Sequence, residues 1–276
     1  MTPEQTILFS DLDGTLFNSR GVVSRENREA IAAYIAAGGK FAVSTGREPQ
    51  NALRFIGDLP QNAPAVVING SAVYDFAAAE YRRCWFMDRE PLLPFLRHLL
   101  AAFPDMELQA YTPAGIRYCT PEKTAHPQLL ALHRPCEFTT LDALGDTPFF
   151  KFFLYAPRER EARLRARIAE GEARGLYRHV PGTTDVGGPI TYHELLPRNV
   201  SKGSAIRFLR TLPELAGRTV FAAGDFWNDY ELLEEADVAV APENAIPEIK
   251  ALCRYVTVSN NEHVIKHILE DILPTL

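Results

Sequence analysis

The sequence lacks the features that mark membrane-spanning, secreted and zinc-finger proteins. None of its apolar runs approaches the ~18–20 residues that cross a bilayer. The N-terminal stretch carries acidic residues where a secretory signal needs basic ones. The four cysteines are far apart and form no CxxC pair, which argues against a disulfide framework or a cysteine-ligated zinc ion. These absences predict a cytoplasmic protein that does not associate with membranes.

Positive charge is scarce as well. There are 29 Lys and Arg residues against 35 Asp and Glu residues, a formal net charge of −6, and the basic residues form no block. Binding to nucleic acid is therefore not expected. Hydrophobic residues make up 46% and charged residues 23% of the 276, as in ordinary globular proteins. We expect a monomer or a small homo-oligomer.

Short apolar runs alternate with helical patterns at the two ends of the chain. Residues 6–10, 41–44 and 65–68 have the composition of buried strands, and residues 220–223 repeat it later. Strands that alternate with helices form βαβ units. The pattern predicts the α/β class, with a doubly wound, Rossmann-like parallel sheet.

The middle of the chain has a different pattern. A leucine-rich helical segment over 92–103 is followed by candidate strands, a hairpin connection and a strongly charged helical segment. This pattern is typical of an α+β domain rather than of βαβ units. We therefore predict that residues 1–83 and 190–276 form the α/β core, and that residues 84–189 form an inserted α+β domain.

Polar clusters follow several of the predicted strands. Ligands bind beyond the carboxyl ends of the strands in an open α/β sheet, so these side chains are expected to converge. The clusters are Asp11, Asp13, Gly14 and Thr15; Thr45, Gly46 and Arg47; Asn69; and Asp225, Asn228 and Asp229.

Grouped carboxylates need a positive partner. Two of them about 4 Å apart repel by about 4 kcal/mol at an effective dielectric near 20, so several together require a cation or raised pKa values. An all-oxygen site favours Mg²⁺ or Ca²⁺. Thr45 could then hydrogen-bond a phosphate that Lys202 neutralises. This chemistry indicates phosphoryl transfer, with Asp11 or Asp13 as a possible covalent nucleophile.

The motifs resemble those of the haloacid dehalogenase superfamily of phosphohydrolases. Within it they are most similar to the Cof-type, sugar-phosphatase-like branch, which carries a large cap domain between its second and third motifs. DLDGT at 11–15 matches the family's DxDGT, and GDFWND at 224–229 matches GDxxND. Thr45 matches the Ser or Thr of the second motif, and Lys202 matches the lysine of the third.

The resemblance implies a role for each matching residue. Asp11 would attack phosphorus and become an aspartyl phosphate, and Asp13 would act as general acid and then general base. Thr45 and Lys202 would hold the transferring phosphoryl group. Mg²⁺ would be held by Asp11, the main-chain carbonyl of Asp13, and Asp225.

Other residues receive supporting roles. Asn228 and Asp229 would support the metal and its waters. The chain departs from the family's Ala-Met-Gly-Asn-Ala at 240–245, where VAPENA keeps the asparagine, Asn244, in place but has Pro242 and Glu243 instead of Met and Gly. The residues predicted to bind phosphate or substrate are Gly14, Thr15, Gly46, Arg47, Asn69, Lys151 and Asn244.

The expected function is Mg²⁺-dependent hydrolysis of a small phosphate monoester through an aspartyl-phosphate intermediate, and the resemblance favours a sugar phosphate or a related small metabolite as the substrate. The core would supply the chemistry and the cap the specificity. Two alternatives stay open: a phosphomutase on the same fold, and a non-catalytic regulator that binds a phosphorylated metabolite. The complete set of acids argues against the regulator, since a binder needs neither a nucleophile nor an acid/base.

Overall fold

The computed structural model describes residues 1–132, 136–182 and 190–276, which fold into two compact units. The first unit combines Met1–Cys84 with Ser201–Leu276, and the second is Trp85–Val200. None of the described helices has the length and apolar composition that crossing a membrane requires.

Strands and helices are numbered in chain order. The strands are β1 Thr6–Ser10, β2 Lys40–Val43, β3 Ala65–Val67, β4 Ala72–Asp75, β5 Glu80–Cys84, β6 Glu107–Thr112, β7 Gly115–Tyr118, β8 Glu137–Phe138, β9 Lys151–Pro157, β10 Arg178–Pro181, β11 Ile190–Leu196, β12 Thr219–Ala223, β13 Val238–Ala241 and β14 Tyr255–Val256. The helices are α1 Arg25–Ala36, α2 Pro49–Ile56, α3 Arg89–Ala102, α4 Pro127–Leu132, α5 Glu161–Ala173, α6 Lys202–Leu209, α7 Tyr230–Glu234, α8 Pro247–Leu252 and α9 Val264–His267.

A parallel sheet forms the centre of the first unit, with the strand order β14-β13-β12-β1-β2. Every residue of β1 is buried, as expected for a strand covered on both faces. Beyond β2, a parallel bridge joins Ser44 to Val66, and β3 continues into an antiparallel meander with β4 and β5. The predicted α/β fold with a parallel sheet is confirmed.

The connections of this unit place its polar clusters at one edge of the sheet. Helix α1 begins at Arg25, after the capping residue Ser24, whose hydroxyl accepts from the Asn27 N–H at 3.2 Å. It ends before Gly38, which has a positive φ of 89° that favours glycine. Because β1, β2 and β12 run parallel, the residues that follow each of them emerge at the same edge.

The second unit contains a six-stranded sheet in the order β10-β11-β9-β6-β7-β8. Its neighbouring strands are antiparallel except β7 and β8. Apolar side chains of α3 and α5, such as Leu96 and Leu164, join Phe152 and Leu154 of β9 in one buried cluster. The α+β architecture predicted for this part of the chain is confirmed.

One predicted boundary is wrong. The sequence placed the return to the core between residues 189 and 190, whereas the second unit extends to Val200. The reason is β11, Ile190–Leu196, which pairs with β9 and β10 in the sheet of the second unit. Its residues alternate between buried and partly buried positions, and its pairing with β9 and β10 assigns it to the second unit. Residues 183–189, next to the predicted boundary, lie outside the described residues.

Candidate active site

The loop after β1 brings two aspartates to the edge of the parallel sheet. The Asp11 N–H donates to the carbonyl of Ala223 at 2.9 Å, which ties the start of this loop to the end of β12. Gly14 has a φ of 84°, and a Cβ there would lie 2.3 Å from Oδ2 of Asp225. Only glycine allows this close approach between the loop and the carboxylate.

Three carboxylates form a cluster at this edge. One oxygen from each of Asp11, Asp225 and Asp229 lies within 4.8 Å of the other two. Burial and repulsion from Asp229 raise the pKa of Asp11 well above its ordinary value. The same two causes, in that order, raise the pKa of Asp225 from 3.8 to about 7. Without a further cation, the cluster therefore holds its negative charge poorly.

Lys202 supplies one positive charge to this cluster. It is the first residue of α6, behind the capping residue Ser201, and its side chain is buried. Its Nζ donates to Oδ1 of Asp11 at 2.5 Å and to Oδ1 of Asp229 at 2.6 Å. Burial alone would lower the pKa of Lys202, but attraction to Asp11 and Asp229 outweighs it and raises the pKa. Lys202 is therefore a fixed cation beside Asp11.

Asp229 organises the loop after β12. While its Oδ1 accepts from Lys202, its Oδ2 accepts from the N–H groups of Asp225 at 3.1 Å and Phe226 at 3.2 Å. Both oxygens are thus engaged within the protein. A supporting role for Asp229 at a metal site stays a prediction.

Thr15 and Asn244 brace the same region. The Thr15 hydroxyl donates to Oδ1 of Asp225 at 3.0 Å, and the Asn244 side-chain amide donates to the carbonyl of Gly14 at 2.7 Å. The Asn244 side-chain oxygen accepts from the N–H of Asn260 at 2.8 Å. Both residues were predicted to bind phosphate or substrate. In the structure, Thr15 hydrogen-bonds the carboxylate of Asp225, and Asn244 hydrogen-bonds the main chain at Gly14.

The ends of β2 and β3 contribute a second group of polar residues. Thr45 is buried, and its hydroxyl oxygen accepts from the Arg47 N–H at 3.1 Å. A Cβ on Gly46 would lie 3.0 Å from the side-chain amide of Asn69. Asn228 donates to Oδ1 of Asn69 at 3.2 Å. Asn69 follows β3 and Asn228 follows β12, so the structure brings together two residues that are far apart in the sequence.

Asp13 and Arg47 form a two-pronged ion pair. Arg47 Nη2 donates to Oδ1 of Asp13 at 2.7 Å, and its Nε donates to Oδ2 at 2.9 Å. The sequence assigned Arg47 to phosphate or substrate and did not anticipate this contact. Two further residues hold Arg47, since Asn51 accepts from its Nη1 at 2.8 Å and the Phe55 ring lies 4.4 Å from the guanidinium carbon.

A family model for haloacid dehalogenase-like hydrolases matches residues 8–269 of the chain. The chain belongs to this family. It is 28% identical to the 5-amino-6-(5-phospho-D-ribitylamino)uracil phosphatase YwtE of Bacillus subtilis over 95% of this chain and 96% of that protein. The predicted membership of the Cof-type branch and the predicted enzyme class, a phosphatase of the haloacid dehalogenase type, are confirmed.

Solved structures share the fold of this haloacid dehalogenase-like hydrolase. A haloacid dehalogenase-like hydrolase from Bacillus subtilis superposes with a TM-score of 0.80 at 22% identity, covering 97% of this chain and all of that one. The subclass IIB sugar phosphatase BT4131 superposes with a TM-score of 0.76 at 18% identity, covering 97% of this chain and 98% of its own. These similarities establish the fold.

The predicted cap residue Lys151 lies in the second unit of the hydrolase. It opens β9, and its Nζ donates to Oε2 of Glu194 at 2.7 Å. The same Nζ lies 4.4 Å from the centre of the Tyr111 ring. Its side chain is buried in these contacts. A role for Lys151 in substrate binding stays a prediction.

Sequence reasoning missed the residues that hold the motif residues in place. Asn51 and Phe55 follow Arg47 at intervals of four, which is the spacing of one helix face, and this signal was available in the sequence. Asn260 carried no comparable signal, because its contact with Asn244 is made across a loop that only the fold brings close.

Proposed function

We propose that the protein is a Mg²⁺-dependent phosphatase that hydrolyses small phosphate monoesters through an aspartyl phosphate on Asp11. The observation that carries this proposal is the buried contact of Asp11 with Lys202, beside Asp225 and Asp229. A carboxylate held next to a fixed cation and two further acids suits attack on an anionic phosphoryl group.

The donor set fits a hard divalent cation. Three carboxylate oxygens lie within 4.8 Å of one another, and the single positive charge of Lys202 is shared between two of them. Asp11 and Asp225 would hold Mg²⁺ through their side chains, with the main-chain carbonyl of Asp13 as a third ligand. When bound, Mg²⁺ would polarise the phosphoryl group and offset its repulsion from the nucleophile.

The chain's own residues then carry out two displacements. In the first, an oxygen of Asp11 bonds to phosphorus, the ester P–O bond breaks, and the leaving oxygen takes a proton from Asp13. In the second, a water oxygen bonds to phosphorus, the bond to Asp11 breaks, and Asp13 takes the proton of the water. Lys202 and the Thr45 hydroxyl would hold the phosphoryl group during both steps.

The relatives support a sugar-phosphate type of substrate. The name of YwtE describes a phosphoribityl ester, and BT4131 is named a sugar phosphatase. We propose that this chain acts on sugar phosphates or related small metabolites, with the second unit as the cap that selects among them. The net charge of −6 agrees with a small-molecule substrate rather than a nucleic acid.

Phosphate release from a panel of sugar phosphates tests the proposal. We expect release with Mg²⁺ and no bisphosphate activator, and we expect Asp11→Asn to lower kcat at least about a hundredfold, since an amide cannot replace the nucleophile. The variant should stay folded by circular dichroism. A requirement for a bisphosphate activator would favour a phosphomutase. Saturable binding without phosphate release would favour a regulator.

A further inference from the structure

Asp13 and Arg47 form an unusually specific contact on an exposed part of the first unit. Both oxygens of the Asp13 carboxylate accept from one guanidinium group, at 2.7 and 2.9 Å. Of the described residues, Arg47 is the one that hydrogen-bonds this carboxylate. The Asp13 side chain is 59% exposed, against 22% for Arg47. An ion pair this exposed adds little to stability, so its value lies in orientation.

Arg47 is itself fixed on three sides. Asn51 accepts from its Nη1 at 2.8 Å. The guanidinium carbon lies 4.4 Å from the ring centre of Phe55 and 5.9 Å from that of Phe17. A planar guanidinium held on an aromatic face presents its donors in one direction. Because Asn51 and Phe55 belong to α2, the position of this helix determines how Arg47 is oriented towards the Asp13 carboxylate.

We propose that Arg47 is a positioning residue that holds Asp13 for proton transfer to the leaving oxygen of the substrate. This inference rests on the proposed acid/base role of Asp13. While one carboxyl oxygen of Asp13 gives or takes the proton, the other can stay on the guanidinium, because the two prongs are separate hydrogen bonds. Misplacing such a group by about 1 Å can lower a rate a hundredfold.

The test compares two leaving groups. An alkyl leaving group, as in a sugar phosphate, needs the proton, whereas the nitrophenolate of p-nitrophenyl phosphate leaves without one. In Arg47→Ala, we expect kcat/KM for the sugar phosphate to fall about tenfold or more relative to that for p-nitrophenyl phosphate. Arg47→Lys keeps the positive charge but cannot make the two parallel hydrogen bonds of the guanidinium. Its ratio of kcat/KM for the two substrates should therefore lie between those of Arg47→Ala and the wild type.

Further variants separate this inference from the proposed function. Asp13→Asn should show the same preference for the good leaving group, and the double variant with Arg47→Ala should show no additional change in the ratio. If Asp13→Asn alters both substrates equally, the proposed acid role of Asp13 fails. If Asp13→Asn shows the preference and Arg47→Ala does not, the positioning role of Arg47 fails.

Arg25→Ala provides the matched control. Arg25 forms an exposed ion pair with Glu29 on α1, at 2.6 Å and with 84% of its side chain exposed, and its loss should leave the ratio unchanged. Thermal unfolding should show that Arg47→Ala and Arg47→Lys remain folded at the assay temperature. Equal losses for both substrates in folded Arg47 variants would mean that Arg47 binds the phosphate directly, and would overturn the proposal.

Discussion

Asp225→Asn should stabilise the metal-free protein while weakening its binding of Mg²⁺. Burial and repulsion from Asp229 raise the pKa of Asp225 from 3.8 to about 7. Each tenfold change in proton affinity corresponds to about 1.4 kcal/mol. Ionising Asp225 in the metal-free fold therefore costs about 4 kcal/mol, as an upper bound. Asparagine removes this cost and can still accept the hydrogen bond from Thr15.

The effect has a definite pH dependence. Because the pKa of Asp225 is higher in the folded than in the unfolded protein, the folded protein binds the extra proton between about pH 4 and pH 7. The contribution of Asp225 to the stability of the metal-free protein therefore falls as the pH rises through this range. The stabilisation by Asp225→Asn should be about 2 kcal/mol at pH 5 and approach about 4 kcal/mol at pH 8.

Urea unfolding with a chelator present, at pH 5 and pH 8, measures this difference. Trp227 lies in the first unit and Trp85 in the second, so a Trp85→Phe background reports on the first unit alone. Asp58→Asn is the matched control, since the Asp58 side chain is fully exposed and its loss should have little effect. If Asp225→Asn is no more stable than its parent at pH 8, the carboxylates do not repel as argued.

Two further predictions concern the metal and the second unit. Mg²⁺ should support turnover and Ca²⁺ should inhibit it, because Ca²⁺ takes more ligands at longer distances; full activity with a chelator, or equal activity with Ca²⁺, would refute the metal assignment. Burial and repulsion from His193 lower the pKa of His179 from 6.5 to about 4, so the unfolded chain binds a proton near pH 6.5 that the folded protein does not. Its contribution to stability should therefore fall as the pH drops from about 6.5 towards 4. Urea unfolding followed by Trp85 in a Trp227→Phe background should show a weaker pH dependence in His179→Gln, and an unchanged one would contradict this.

The sequence predicted the fold best where local pattern and position in the sheet agree. β1 is a largely apolar run that is buried along its whole length, and this pattern was enough to predict a buried strand there. The strand β11 includes Thr191, His193 and Glu194 and is only partly buried, and it pairs with β9 and β10. The composition of β11 does not show which sheet it joins, because strand pairing is decided by contacts between residues far apart in the chain.

For the candidate site, the sequence predicted which residues converge but not how they pair. Asp11 and Asp229 were expected at neighbouring strand ends, and Lys202 was expected to share their site; the structure joins the three through one ammonium group. The partner of Arg47 was not predicted, because a surface arginine has many possible partners. Its contact with Asp13 depends on the direction in which α2 leaves β2, and that direction is a property of the whole fold.

Exposure divides the site into two parts that suit different tasks. Asp11 and Lys202 are buried and paired, so their geometry is fixed before any substrate arrives, which suits the nucleophilic role proposed for Asp11. The Asp13 side chain is 59% exposed, and the proposed acid/base must exchange protons first with a leaving group and then with water. An exposed carboxylate would be poorly oriented on its own. The planar, packed guanidinium of Arg47 supplies orientation without burial, and so leaves Asp13 accessible to both proton partners.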